Sequence, residues 1–261
     1  GGDPASSLTI LALARTKADA AVLRTQVLPL EVRALTSLGR AGDAQALVAR
    51  EGAQADPGTQ RQFARQIAWG WVRAGEVDKA RKALAGASAD DDEEVSGWIA
   101  LFDGDLRRAR AGLRRPADAT PDVVIAMAML GRTRADTARA AGAGFLALAR
   151  GDTAGAAQRF ERAADELGDV APLLLGYAAR LWSLRKNDGQ AIALWGRIVQ
   201  RHPLSPEAAE ADLEWARTLR RKGDAAGATE RLEHLILSFP NSALVPQARR
   251  ELETIRSGVA W

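Results

Sequence analysis

The sequence predicts an all-α protein, a solenoid of stacked helical hairpins, and three observations point to it. Alanine, leucine and arginine dominate while β-branched runs are scarce, which favours helix throughout. Gly-Asp or Gly-Glu steps break the helical stretches at Gly42-Asp43, Gly75-Glu76, Gly104-Asp105, Gly151-Asp152 and Gly223-Asp224, with a sixth turn lacking glycine at Lys186-Asn187-Asp188. Glycine ends a helix in the left-handed conformation and the acid caps the next helix, so each step reads as the turn of a hairpin. Third, residue types recur at fixed distances from five of these turns. Seven residues upstream stand Ala68, Gly97, Gly144, Ala179 and Ala216; five downstream stand Ala80, Ala109, Ala156, Ala191 and Ala228; nine downstream stand Leu84, Leu113, Phe160, Trp195 and Leu232. Small residues let the two helices of a hairpin approach, and the bulky residue one turn later fills the space between hairpins.

Taken in order, Leu8 to Thr25 predicts a first helix capped by Ser6 or Ser7. Around Gly42 the offsets place Leu35 and Leu47 where small residues belong, so residues 1–60 are read as degenerate N-terminal hairpins. Residues 61–168 hold irregular repeats. Turn-to-turn spacings of 33, 29, 47, 35 and 37 residues show the irregularity, and the longest interval contains an extra helix, Pro121 to Leu130, ended by Gly131. Residues 169–241 carry the two best repeats. In residues 242–261, Leu244, Val245, Ala248, Leu252 and Ile255 fall at helical spacing before Gly258, which predicts a capping helix over the last hairpin.

These positions resemble the tetratricopeptide repeat family, whose helix-turn-helix unit has the same small, small and large sites. Pro203 and Pro240, each seventeen residues after a turn, stand where that family closes its second helix. The repeats Ala171 to Pro203 and Ala209 to Asn241 look like those of bacterial cell-envelope members. The resemblance implies one right-handed α-solenoid domain over residues 1–261, a concave face lined by first helices, and peptide binding along it. It also favours the bacterial periplasm or cell envelope over the cytoplasm.

Composition narrows the function. The chain has 261 residues, no cysteine and two histidines, His202 and His234, which leaves little material for disulfides, thiol chemistry, a zinc site or a histidine relay. Basic residues number 36 against 33 acidic, a net charge of +3, and acids are interspersed among the clusters Arg107-Arg108-Arg110, Arg114-Arg115 and Arg220-Arg221-Lys222. A solvated face is the expected reading of these clusters, and no nucleic-acid partner is expected. The acidic run Asp90-Asp91-Asp92-Glu93-Glu94 lacks the spacing of a calcium loop and is read as a turn and helix start. The longest apolar runs, Leu8 to Ala14 and Val123 to Leu130, are too short to span a bilayer. No signal peptide is read at the start, where Gly1-Gly2 looks like a trimmed terminus.

Projection of the first helices places Arg65, Trp69, Arg73, Trp98, Phe102, Phe145, Arg180, Arg217 and Arg221 along one groove. Aromatic residues and arginine dominate binding energy at interfaces, so these nine form the expected partner site, with Trp69 and Trp98 as anchors. Trp71, Trp182 and Trp195 fit core positions, and the histidines are read as structural or surface residues. Glu207 and Glu210 share a helix face without an accompanying nucleophile or phosphate loop. The expectation is a non-enzymatic protein-interaction scaffold without cofactor or metal. The alternatives are a structural subunit of a larger assembly and the recognition domain of a longer protein.

Overall fold

Left-handed backbone marks six turns between helices. Gly39, Gly75, Gly104, Gly151 and Gly223 have φ between 70° and 82°, and Lys186 takes the same conformation at φ 58°. Two backbone hydrogen bonds close five of these turns in the same way. Glu76 N–H reaches back to the Trp71 carbonyl and Gly75 N–H to that of Val72, and the pair recurs after Leu35, Ala100, Trp182 and Leu219. The residue after the turn then opens the next helix: the side chains of Asp105, Asp152, Asn187 and Asp224 accept from the N–H of Arg108, Gly155, Gln190 and Gly227.

The computed structural model describes residues 3–85, 93–114 and 120–257, without the side chain of Arg24. Asp90 to Asp92 of the acidic run, Arg115, the Gly1-Gly2 start and Gly258 to Trp261 lie outside the described residues. Among the described residues the chain forms no strand. In order come α1 (Pro4–Arg15), α2 (Ala20–Val22), a π-helical stretch Leu23–Val27, α3 (Leu28–Ser37), α4 (Ala41–Glu51), α5 (Pro57–Arg73) and α6 (Val77–Ala85). There follow α7 (Glu93–Asp103), α8 (Leu106–Gly112), α9 (Pro121–Arg132), α10 (Arg139–Ala149), α11 (Thr153–Glu166) and a 3-10 turn Gly168–Val170. The chain continues through α12 (Ala171–Leu184), α13 (Asp188–Arg201), α14 (Pro206–Arg221), α15 (Ala225–Ser238) and α16 (Val245–Arg256). Consecutive helices pack in pairs, as in a helical repeat array.

The chain divides into two compact units, residues 1–119 with 145–151, and residues 120–144 with 152–261. In the first, Leu28, Val32, Leu35, Ala44, Leu47, Phe63 and Ile67 form a core against which Leu8 and Trp71 pack. In the second, Leu213, Ala216, Ala228, Leu232 and Leu235 form a core closed by Val245, Ala248 and Leu252 of α16, with Leu244 and Ile255 at its edge. The five apolar positions expected of a capping helix all face that core.

The repeat signature has the packing that its spacing predicts. The five downstream alanines are each 0% exposed, and the five bulky residues beyond them are buried. A Cβ on Gly97 would come within 2.9 Å of the Gly112 backbone, so α7 and α8 touch main chain to main chain. A Cβ on Gly144 would strike the ring of Phe160 at 2.7 Å, the small and large sites of one hairpin in direct contact.

Four boundaries differ from the sequence reading. The first turn is at Gly39, and Gly42 lies inside α4, where Asp43 pairs with Arg40 at 2.6 Å and caps nothing. Counted from Gly39, the fifth residue is Ala44, fully buried like its counterparts. The first predicted helix is two: Asp3 caps α1, whose second residue follows Pro4, and Asp19 opens the next stretch by accepting from Ala21 and Val22 N–H. Gly131 does not end α9, which runs to Arg132 and stops at extended Thr133. The capping helix starts at Val245, after Ser242 Oγ has accepted the Leu244 N–H.

Candidate functional site

The nine predicted groove residues divide between the two units, six in the first and three in the second. In the first, Asp56 and Pro57 start α5, the longest helix of the chain, with Asp56 accepting from Gly58 and Thr59 N–H. Its inner face buries Phe63, Ala64, Ile67, Ala68 and Val72. Arg65, Trp69 and Arg73 therefore stand one above the next on the opposite side, at spacing i, i+4, i+8. The two arginines are exposed and Trp69 is partly buried, with the Arg73 guanidinium 5.6 Å from its ring centroid. This stripe presents an aromatic edge flanked by cations.

Trp98, Phe102 and Phe145 are placed otherwise. Trp98 and Phe102 are each 7% exposed and Phe145 2%. The Trp98 ring centroid lies 5.8 Å from that of Phe102 and 6.4 Å, edge-on, from that of Phe145. Burial turns these three into packing residues of the first unit, so they do not join Trp69 as open anchors. The projection missed this because Val95, Gly97, Trp98, Ile99, Ala100, Leu101 and Phe102 are all buried: α7 has almost no wet face to assign.

The three arginines of the second unit are held by acids of neighbouring helices. Arg180 on α12 pairs with Glu210 on α14. Arg217 on α14 binds Glu214 at 2.6 Å and Glu251 on α16 at 2.7 Å, and these contacts hold its guanidinium above the ordinary arginine range. Arg221 reaches Asp188 and the Ser183 hydroxyl, each at 3.2 Å. Glu207, the other carboxylate singled out in the sequence, pairs with Arg132 on α9. Tyr177 on α12 donates to Asp122 on α9; burial, then that bond, pushes its phenol above the ordinary tyrosine range. The first-helix surface here is a ladder of internally matched charges.

Two other clusters were not legible in the sequence. A cleft of about 710 Å³ opens between α6, α7 and α8, floored by Gly97, Ala100 and Gly112. Along its wall Arg81 pairs with Asp78 and Asp103, and Arg108 with Asp105. In the second unit Asp212 is wholly buried, its Oδ2 hydrogen-bonded with His234 Nδ1 at 2.5 Å, and Arg231 lies 3.6 Å away, stacked 4.8 Å over Trp215. Burial pushes the Asp212 carboxyl above its usual range, against the pull of His234 and Arg231. Among the described residues no group of three or more His, Asp or Glu side chains is placed to hold a metal ion.

Comparison with protein-family models, curated proteins and solved structures gives no match. Any functional reading rests on the geometry. Of the two predicted anchors, Trp69 is partly exposed and Trp98 is buried. Among the described residues no helix is long and apolar enough to cross a membrane.

Proposed function

We propose that this chain is a non-enzymatic scaffold, a right-handed solenoid of tetratricopeptide type, that captures an acidic linear segment of a partner protein on its first-helix surface. The observation that carries the reading is the Arg65, Trp69, Arg73 stripe of α5. Tryptophan and arginine concentrate binding energy at interfaces, and a partly exposed ring with arginines one helical turn before and after it suits an apolar side chain flanked by carboxylates. The repeat architecture supports it as well, since small and large residues alternate as in that family and Pro203 and Pro240 follow α13 and α15. In the second unit Arg180, Arg217 and Arg221 join helices through Glu210, Glu251 and Asp188 and extend the same surface.

A displayed peptide library tests this. Selected sequences should be rich in Asp and Glu around one aromatic or aliphatic residue. Arg65→Glu with Arg73→Glu should weaken them at least about tenfold, which corresponds to the loss of two charge-assisted contacts. Circular dichroism of the double variant should match wild type. Selection of peptides with no acidic preference, or equal binding by the variant, overturns the reading.

A further inference from the structure

Two hairpin turns of the second unit gather more cations than they have acids to match. The α12–α13 turn, residues 184–188, and the α14–α15 turn, residues 220–224, together hold five cations and two carboxylates. They lie side by side, because Arg221 of the second reaches the Ser183 hydroxyl and Asp188 at the first, each at 3.2 Å. Asp188 is matched by that contact, and Asp224 caps α15 by accepting the Gly227 N–H. Arg185, Lys186 and Lys222 are exposed and form no ion pair among the described residues.

Two further observations point to what this edge meets. Lys186 holds the left-handed backbone position that glycine takes at the other five turns, a conformation that disfavours a side chain. Backbone of this kind concentrates at positions that touch ligands, and here it places an ammonium on the turn itself. Beside it Leu184 is 76% exposed, and among the exposed large apolar side chains of the described residues it alone is followed directly by two cations. A nucleic-acid backbone rewards the cations and not the leucine. A linear acidic peptide lies along helix faces, whereas these groups stand on the ends of two hairpins and meet a broad surface end-on. An anionic bilayer rewards everything present: its phosphates attract the cations, and the layer beneath the headgroups takes an aliphatic side chain.

We infer that this edge of the second unit docks on a membrane surface rich in anionic phospholipid, with Leu184 entering the headgroup layer and Arg185, Lys186, Arg221 and Lys222 at the phosphates. The contact is peripheral, needs no membrane-crossing helix, and uses no residue of the α5 stripe. Each cation near such a surface favours the bound state about fivefold, so binding through one leucine and a few cations is reversible and weakens as salt screens it.

Flotation of the full chain with vesicles of phosphatidylcholine, alone or mixed with phosphatidylglycerol, tests this. Wild type should float with the mixed vesicles at low salt, stay behind with phosphatidylcholine alone, and be released as salt rises. Arg185→Glu with Lys222→Glu should lower the partition coefficient at least about tenfold. Lys186→Gly should lower it about fivefold while raising the urea midpoint, a pair of opposite effects that a purely structural lysine would not produce. Leu184→Ser should weaken vesicle binding severalfold, and Arg107→Glu with Arg114→Glu, exposed cations of the first unit, should float as wild type does. Circular dichroism of every variant should match wild type. A wild type that ignores anionic vesicles overturns the inference, and its retention on polyglutamate or duplex DNA would then give the edge to an acidic protein or to nucleic acid. Undiminished flotation of the Arg185, Lys222 variant or of Leu184→Ser overturns it equally.

Discussion

Lys186 is the residue whose backbone costs most for its type. It occupies the left-handed position that glycine fills at the other five turns, at φ 58°. A side chain there is disfavoured by about 1–2 kcal/mol, partly offset because glycine loses more freedom on folding. Lys186→Gly should therefore raise stability by about 0.5–1 kcal/mol, read as a higher urea midpoint with unchanged slope. Trp98 gives the opposite test. Its burial against Phe102 and Phe145 means that Trp98→Ala should cost about 3–5 kcal/mol, whereas Trp69→Ala, which keeps one edge in water, should cost clearly less in the same denaturation series. A sequence shows which residues are bulky and how they are spaced, and that sufficed for Trp182 and Trp195, both buried as expected. It was insufficient for Trp98, because a helix packed on several sides buries residues that a simple two-face projection assigns to water.

At the scale of helices, stability comes from close approach. Gly97 and Gly112 bring α7 and α8 into backbone contact, so Gly97→Ala, which puts a methyl 2.9 Å from the opposing main chain, should cost about 1–3 kcal/mol despite alanine's better helix propensity. A second feature at this scale is pH-dependent. Burial raises the Asp212 carboxyl, so the folded chain binds a proton there more readily than the unfolded chain, whose value is near 3.8. The resulting stabilisation is complete below that value and is lost as pH rises through the folded one. Wild type should accordingly lose ground to Asp212→Asn, which keeps an acceptor for His234, as pH climbs from the acid range to neutrality. Urea midpoints of both proteins measured against pH check it; a constant difference would refute it. Helix boundaries were legible wherever an acid caps a backbone N–H, as at Asp105, Asp152 and Asp224. They were misread at Gly42, whose glycine and acid imitate a turn inside α4 while the true turn, Gly39-Arg40, lacks the acid.

For the molecule as a whole, the recurrence of five buried alanines and their bulky partners made the stacked-pair architecture readable, because such packing demands the same volumes in every hairpin. The division into two compact units had no comparable signal, since the repeat pattern runs through both. Surface placement among the nine residues was readable at α5, where the stripe lies opposite a buried face, and not at Trp98, Phe102 and Phe145, which the packing of several helices buries. Removing residues 243–261 should expose Leu213, Leu232 and Leu235, and the shortened protein should melt earlier and bind more of an apolar dye than wild type. The turns carry a last consequence. One residue finishes a Schellman bond and starts the following cap, so adding even a single amino acid there dismantles both at once. Length changes are tolerable only in the spacers joining one hairpin to the next, which is where a tag or a foreign loop belongs.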